Sequence, residues 1–432
     1  MHDVLTLSLQ QSYVNGASAD PRYNLSYIVD QSVKEEKPII AVSINYRLAQ
    51  WGFLFSKEIE AAGAGNIAFR DQRLAFKWIQ DNVAAFGGNT DQVTVWGESA
   101  GARSLGMQLI AYDGKHDNLF QKAILQSGSP VTKFADADAW QPYFDSLVAK
   151  TGCAEAADHL TCLRELPAQT LNDVFNGTTP LNVTTPGFSA VIDGDFMSAQ
   201  ATDLLSEGKF ARVPLLLGNN FDEGTAYGKQ GLNTPEQFEE YLAGLDLSDG
   251  TAEEVAALYP DDPEVGIPAS LVGRPDPSSP YGLQWKRAAA FAGDWQQHAG
   301  RRLLAEYYAE ADIPVYSYRW NVYVNGIAPI IGATHFQEVA FVFYDLESSE
   351  FQNKPETFKQ LSNLMSRQWV NFVHDTNPNL SQASANSTEW PLYTPAAPDN
   401  VVFDVNATGL AYTEEDNYRQ EAITYLQENV YN

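Results

Sequence analysis

The chain has 432 residues, and 27 basic against 55 acidic side chains leave a net charge of −28 at neutral pH. Such a balance argues against a nucleic-acid partner, because that affinity rests on Lys and Arg displacing counterions. Hydrophobic residues at 44% and aromatics at 12% supply a folded interior, while no apolar run approaches the roughly 18 to 20 residues of a membrane span, so an ordered, water-soluble chain without membrane insertion is expected.

The first residues, Met1 to Ser12, have neither the basic start nor the solid apolar centre of a secretory signal. Ile39 to Tyr46 is the first of several short apolar runs, followed by Val93 to Trp96, Ala123 to Leu125, Val213 to Leu217 and Val315 to Trp320. Buried parallel strands read this way, since both of their faces are covered. Between the first two runs, Asp71 to Phe86 has helical periodicity that places Leu74, Trp78, Ile79 and Val83 on one side. Near the C-terminus Phe358, Leu361, Met365, Trp369 and Phe372 repeat that spacing. Tyr259 to Pro280 carries six prolines and reads as an irregular surface excursion. The alternation predicts an α/β fold, a mostly parallel central sheet with helices on both faces, in one domain over residues 1–432.

The two cysteines, Cys153 and Cys162, lie close together in sequence. No second pair completes a zinc site, so a disulfide is favoured, with two free thiols as the alternative. A bridge over so short a loop is worth about 2 to 3 kcal/mol and implies an oxidising compartment. Six Asn-X-Ser/Thr sequons, at Asn24, Asn176, Asn182, Asn379, Asn386 and Asn406, point the same way.

The strongest local signal is Val93-Thr94-Val95-Trp96-Gly97-Glu98-Ser99-Ala100-Gly101, a β-branched run entering Gly-X-Ser-X-Gly and leaving into helix-compatible sequence. A tight strand-to-helix turn of this kind needs side-chain-free glycines and projects the serine hydroxyl clear of the sheet. Ser99 is therefore the candidate nucleophile, and it needs a base within hydrogen-bond reach. Of six histidines, His2 is terminal, His116 lies in a polar turn and His159 between the cysteines; His298 and His374 fall on amphipathic helices. His335 sits in the late loop Ile330 to Val339, where the serine, acid, histidine order of this motif wants its base. Asp222 and Glu223 both leave the Val213 to Leu217 run. Sequence physics leaves the choice between them open.

These residues resemble the type-B carboxylesterase/lipase family, which includes cholinesterases and fungal secreted lipases. The resemblance runs from about Tyr13 to near the C-terminus, on Asn45-Tyr46-Arg47-Leu48, Gly52-Phe53-Leu54, Asn66 to Ala75, Phe86-Gly87-Gly88-Asn89, Trp96 to Gly101, Leu125 to Ser129, Asp222-Glu223-Gly224-Thr225 and the histidine loop. It implies an α/β-hydrolase fold, carboxylic ester hydrolysis, secretion, and no metal or organic cofactor. Residue by residue it implies Ser99 as nucleophile, Glu223 as acid, His335 as base, Ala100 as an oxyanion donor, Cys153 and Cys162 as a family disulfide, and Ser127 as a supporting serine near the triad.

The chain departs from the family pattern at its start. Relatives carry a Gly-Gly-Gly-aromatic stretch whose backbone N–H groups supply two oxyanion donors. Counted back from Asn15-Gly16-Ala17-Ser18, those glycines would fall on Gln10, Gln11 and Ser12. Leading strands, another disulfide and a flap over the gorge also precede this point in relatives. The expectation is an N-terminally truncated fold whose natural start lies upstream of Met1; upstream DNA encoding neither a His-Gly-Gly-Gly-like stretch nor a signal would refute it. Loss of one oxyanion donor costs other serine hydrolases about 2.7 to 4 kcal/mol, or about 100- to 1000-fold in turnover. A catalytically impaired or non-catalytic binding member is thus the alternative to an active esterase, and acyl transfer to an alcohol would use the same residues.

Overall fold

The computed structural model describes residues 2–8, 12–178, 181–245, 247–248, 250–347, 354–380 and 388–431. Within them one sheet has eight strands: β1 (His2–Ser8), β2 (Ile39–Ser43), β3 (Gly88–Glu98), β4 (Lys122–Gln126), β5 (Leu215–Asn220), β6 (Val315–Trp320), β7 (Asp399–Phe403) and β8 (Ala411–Glu415). Their order is β2-β1-β3-β4-β5-β6-β7-β8. Every neighbouring pair is parallel except β7 and β8.

The apolar runs are continuous because successive side chains enter two different cores. Val93, Val95, Ala123, Leu125, Leu215 and Leu217 face one core, shared with the helices Ile67–Asn82, Ala100–Gly114 and Ala299–Glu310. Trp96, Ile124 and Leu216 face the other, under the helix Glu356–Asp375, whose Phe358, Leu361, Met365, Trp369 and Phe372 are all buried as the periodicity predicts. Tyr259 to Pro280, which follows the helix Thr251–Leu258, contains no helix or strand, as the prolines suggested. A third, smaller core gathers Phe55, Trp140, Phe144, Leu147 and Leu163 around Cys153, which is bridged to Cys162.

Two expectations need correction. The segment before Ile39, where no strand was expected, contains β1, which lies between β2 and β3 with Val4, Leu5 and Leu7 wholly buried. Its residues alternate between the two cores, a pattern too short to be separated from an interrupted signal sequence. The helix placed at Asp71 begins at Ile67, and its buried stripe is Ala68, Phe69, Gln72, Phe76 and Ile79. Leu74 and Trp78 are 65% and 50% exposed. Trp78 and Ile79 are separated by about 100° around the helix, so the pairs 74/78 and 79/83 never shared a face.

Candidate active site

The carboxyl ends of β3, β4 and β5 converge, and each delivers part of the site. β3 ends at Glu98 and the helix Ala100–Gly114 starts at once, leaving Ser99 between them at φ 55°, ψ −121°. A non-glycine residue held there costs of order 1 to 3 kcal/mol, which the surroundings must offset. The turn closes because Gly97 has no side chain: a Cβ there would lie 2.4 Å from the Gly101 carbonyl carbon. Ser99 N–H donates to Gln126 O on β4 at 2.9 Å, tying the turn to the next strand. Ala100 is the first helical residue, so its N–H belongs to the group that has no acceptor within the helix.

His335 lies across from this turn. The Ser99 hydroxyl donates to His335 Nε2 at 2.7 Å, and Nδ1 donates to Glu223 Oε2 at 2.6 Å. Glu223 follows β5 and is fully buried. Its Oε1 accepts the Ser127 hydroxyl at 2.5 Å and the Asn220 N–H at 2.8 Å, which fixes the carboxylate plane. Burial opposes a charge on His335, but Glu223 and Glu98 outweigh it and push the imidazole up to about 9.

Asp222, the other acidic candidate, points away. Its carboxylate accepts the Ala333 N–H at 2.7 Å and does not reach His335. Burial pushes it up to about 6. The remaining five histidines sit elsewhere: His298 is buried with Nδ1 2.8 Å from the Tyr418 hydroxyl, His374 pairs with Asp375, His159 lies 3.5 Å from Glu58, His116 packs against Phe120 and His2 opens β1.

Two carboxylates had escaped the sequence reading. Glu98, inside the Gly-X-Ser-X-Gly motif, brings Oε1 to 3.3 Å from His335 Nε2, and burial raises it well above the usual carboxylate range. Glu338 accepts Gln126 Nε2 at 3.0 Å and Asn220 Nδ2 at 2.7 Å, and burial raises it too. It follows His335 by three residues in a non-helical turn, just before the short helix Val339–Val342, a spacing that gives the sequence no signal of its role.

Of the positions where the oxyanion glycines were expected, Gln10 and Gln11 lie outside the described residues. Ser12 is exposed at φ 52°. The register of β1 sets Ser8 opposite Gly97, so in this register β1 ends close to the Ser99 turn. A cavity of about 460 Å³ is lined by Arg103, Val131, Phe134, Trp295 and Tyr431 among others, and Ser99, Glu223 and His335 are not part of its lining. Arg103 is one helical turn past Ser99, whose carbonyl accepts its N–H at 2.9 Å. Gly128, just before the Val131 wall, packs so close that a Cβ would be 2.6 Å from Ser99 O. Among the described residues no group of three His, Cys, Asp or Glu side chains could hold a metal ion, and no helix is long and apolar enough to cross a membrane.

The sheet, the helices on both faces and the strand-to-helix serine turn define an α/β-hydrolase. Comparison with known proteins agrees and is more specific: the chain belongs to the carboxylesterase family, whose model matches residues 10–425. It is 33% identical over 416 residues to Lipase 2 of Diutina rugosa, covering 93% of this chain and 71% of that protein. It is 31% identical over 440 residues to Lipase 2 of Geotrichum candidum, with 97% and 73% covered. Against Secreted lipase 1 of Botryotinia fuckeliana (strain B05.10) the identity is 31% over 429 residues, with 94% and 70% covered. The chain is therefore a carboxylic ester hydrolase by family.

Proposed function

We propose that the chain hydrolyses carboxylic esters through an acyl-enzyme built on Ser99, with His335 as base and Glu223 as its orienting acid. The observation that carries this reading is the position of His335, whose two ring nitrogens lie 2.7 Å from the Ser99 hydroxyl and 2.6 Å from the Glu223 carboxylate.

Ser99 Oγ attacks the ester carbonyl carbon while Nε2 takes its proton. The intermediate then collapses, the ester C–O bond breaks, and the imidazolium returns that proton to the departing alkoxide. Water repeats the sequence on the acyl-enzyme and releases the acid. Glu223 remains a carboxylate throughout: it holds the tautomer with Nδ1 protonated and stabilises the imidazolium. The Ala100 N–H donates to the oxyanion, where a preorganised donor is worth most because it need not reorient.

An organophosphate is expected to label Ser99 with loss of ester turnover, and Ser99→Ala is expected to abolish both. A label on another residue, or full activity in Ser99→Ala, would refute the assignment.

We also propose that the protein works outside the cell, on the disulfide and the secreted lipase among its relatives. Asn24, Asn176, Asn182 and Asn406 are exposed and suited to glycan attachment. Asn379 is not, because its amide pairs with both backbone groups of Trp390, at 2.8 Å each. Asn386 lies outside the described residues. Peptide mapping of secreted protein checks this: a glycan on Asn379 would contradict it.

A further inference from the structure

Asp222 is left without a role in the proton relay, yet it is 2% exposed and fully engaged. Its Oδ2 accepts the Ala333 N–H at 2.7 Å, and its own N–H donates to Ala333 O at 3.0 Å. These two bonds join the residue before Glu223 to the residue two before His335. Gly332 makes the approach possible: it lies at φ +67°, and a Cβ on it would stand 2.1 Å from Asp222 Oδ2.

Further ties continue along the same loop. The Thr225 hydroxyl lies 2.7 Å from Ile331 O and 2.7 Å from the Thr334 hydroxyl. Asn220 Nδ2 donates to Thr334 O at 2.8 Å, and Trp285 Nε1 donates to Ile330 O at 3.0 Å. Residues 330–334 are thus held by the end of β5, the turn after it and Trp285 of the helix Trp285–Gly293, and the strongest tie is a charge-assisted bond from a backbone N–H to a buried carboxylate.

We propose that Asp222 is a positioning residue for the ester hydrolysis, a reciprocal clamp that locks the histidine loop to the acid turn and so holds His335 between Glu223 and Ser99. It touches neither substrate nor imidazole. Its effect is to set the loop's height on the sheet, and a misplacement of about 1 Å in such a relay costs about 100-fold in rate. Because the clamp acts on the proton relay and touches no substrate, its loss is read in kcat and leaves KM in place.

The inference rests on the Ser99–His335–Glu223 reading, and the experiment separates the two. Asp222→Ala is expected to lower kcat by about 10- to 100-fold with KM within about twofold. Asp222→Asn keeps an oxygen acceptor for the Ala333 N–H and is expected to restore most of that loss. Thr225→Val removes the hydroxyl that bonds Ile331 O and Thr334, loosens the same loop and is expected to lower kcat by about 3- to 10-fold, which keeps the test decisive if the alanine variant does not fold. The rate of organophosphate labelling of Ser99 is expected to fall in parallel with kcat in each variant. Labelling elsewhere than Ser99 overturns the triad reading and the clamp with it. Labelling at Ser99 with wild-type kcat in a folded Asp222→Ala or in Thr225→Val, a loss confined to KM, or an Asp222→Asn variant as impaired as the alanine one overturns the clamp alone.

Discussion

Two of the buried clusters of charge in this molecule are settled differently. Behind β6 and β7, Asp416 accepts Arg301 Nη1 at 2.5 Å and Nη2 at 2.8 Å, Arg302 Nη2 at 3.0 Å and the Tyr393 hydroxyl at 3.0 Å. Burial opposes its charge, but the two guanidinium groups hold its carboxyl well below the usual range. At the carboxyl end of β3 to β5 the balance is reversed. Glu98, Glu223 and Glu338 gather around one imidazole, and only Glu223 bonds it directly. One cluster has its carboxylate saturated, which is what a structural ion pair requires. The other has more carboxylates than the imidazole can balance, the kind of arrangement that shifts titration and that the proposed proton relay would use.

Glu223→Gln should produce the largest effect, a loss of about 1000- to 10,000-fold in kcat with little change in KM or in melting temperature, because the wrong tautomer is then held in the right place. A loss under tenfold would remove Glu223 from the relay. Asp416→Ala should do the opposite: removing one partner strands two buried cations, so unfolding in denaturant should show a loss of about 3 to 5 kcal/mol, while kcat of the folded fraction stays unchanged. If turnover falls with stability intact, the two clusters are not separate in function.

The smallest effect to resolve is the pH dependence. His335 must be neutral to accept the Ser99 proton, and its neighbours push it up to about 9. Ester turnover should therefore climb through a limb displaced upward from the ordinary histidine value of about 6.5. The sign for stability is opposite. The charged imidazole contributes fully below about pH 6.5 and that contribution disappears as pH rises through its folded value. Thermal midpoints should decline over the same window in which activity rises; an activity limb at or below 6.5 would contradict the carboxylate imbalance.

The sequence made the strained serine turn legible, because Gly97 and Gly101 are required by a local steric condition that needs no knowledge of the rest of the fold. His335 was reachable by eliminating five other histidines in a chain that has only six. The choice between Asp222 and Glu223 was closed to residue-level physics. Which carboxylate turns toward the imidazole is decided by the Asn220 N–H and the Ser127 hydroxyl that grip Glu223, and by the Ala333 N–H that draws Asp222 off. Glu98 and Glu338 carried no signal among 55 acidic residues until the fold brought them together. Strand β1 was lost for a related reason, since its partners β2 and β3 begin more than thirty residues later in the chain.

The most direct measurement is a double-mutant cycle in kcat on Ser99→Ala, His335→Ala and the pair. If one proton passes between these two side chains, either single change removes the whole relay, and the double variant should be about as slow as each single one, as residues acting as a unit are grossly non-additive. Losses that multiply in the double variant would mean that Ser99 and His335 act independently, and the relay would have to be abandoned.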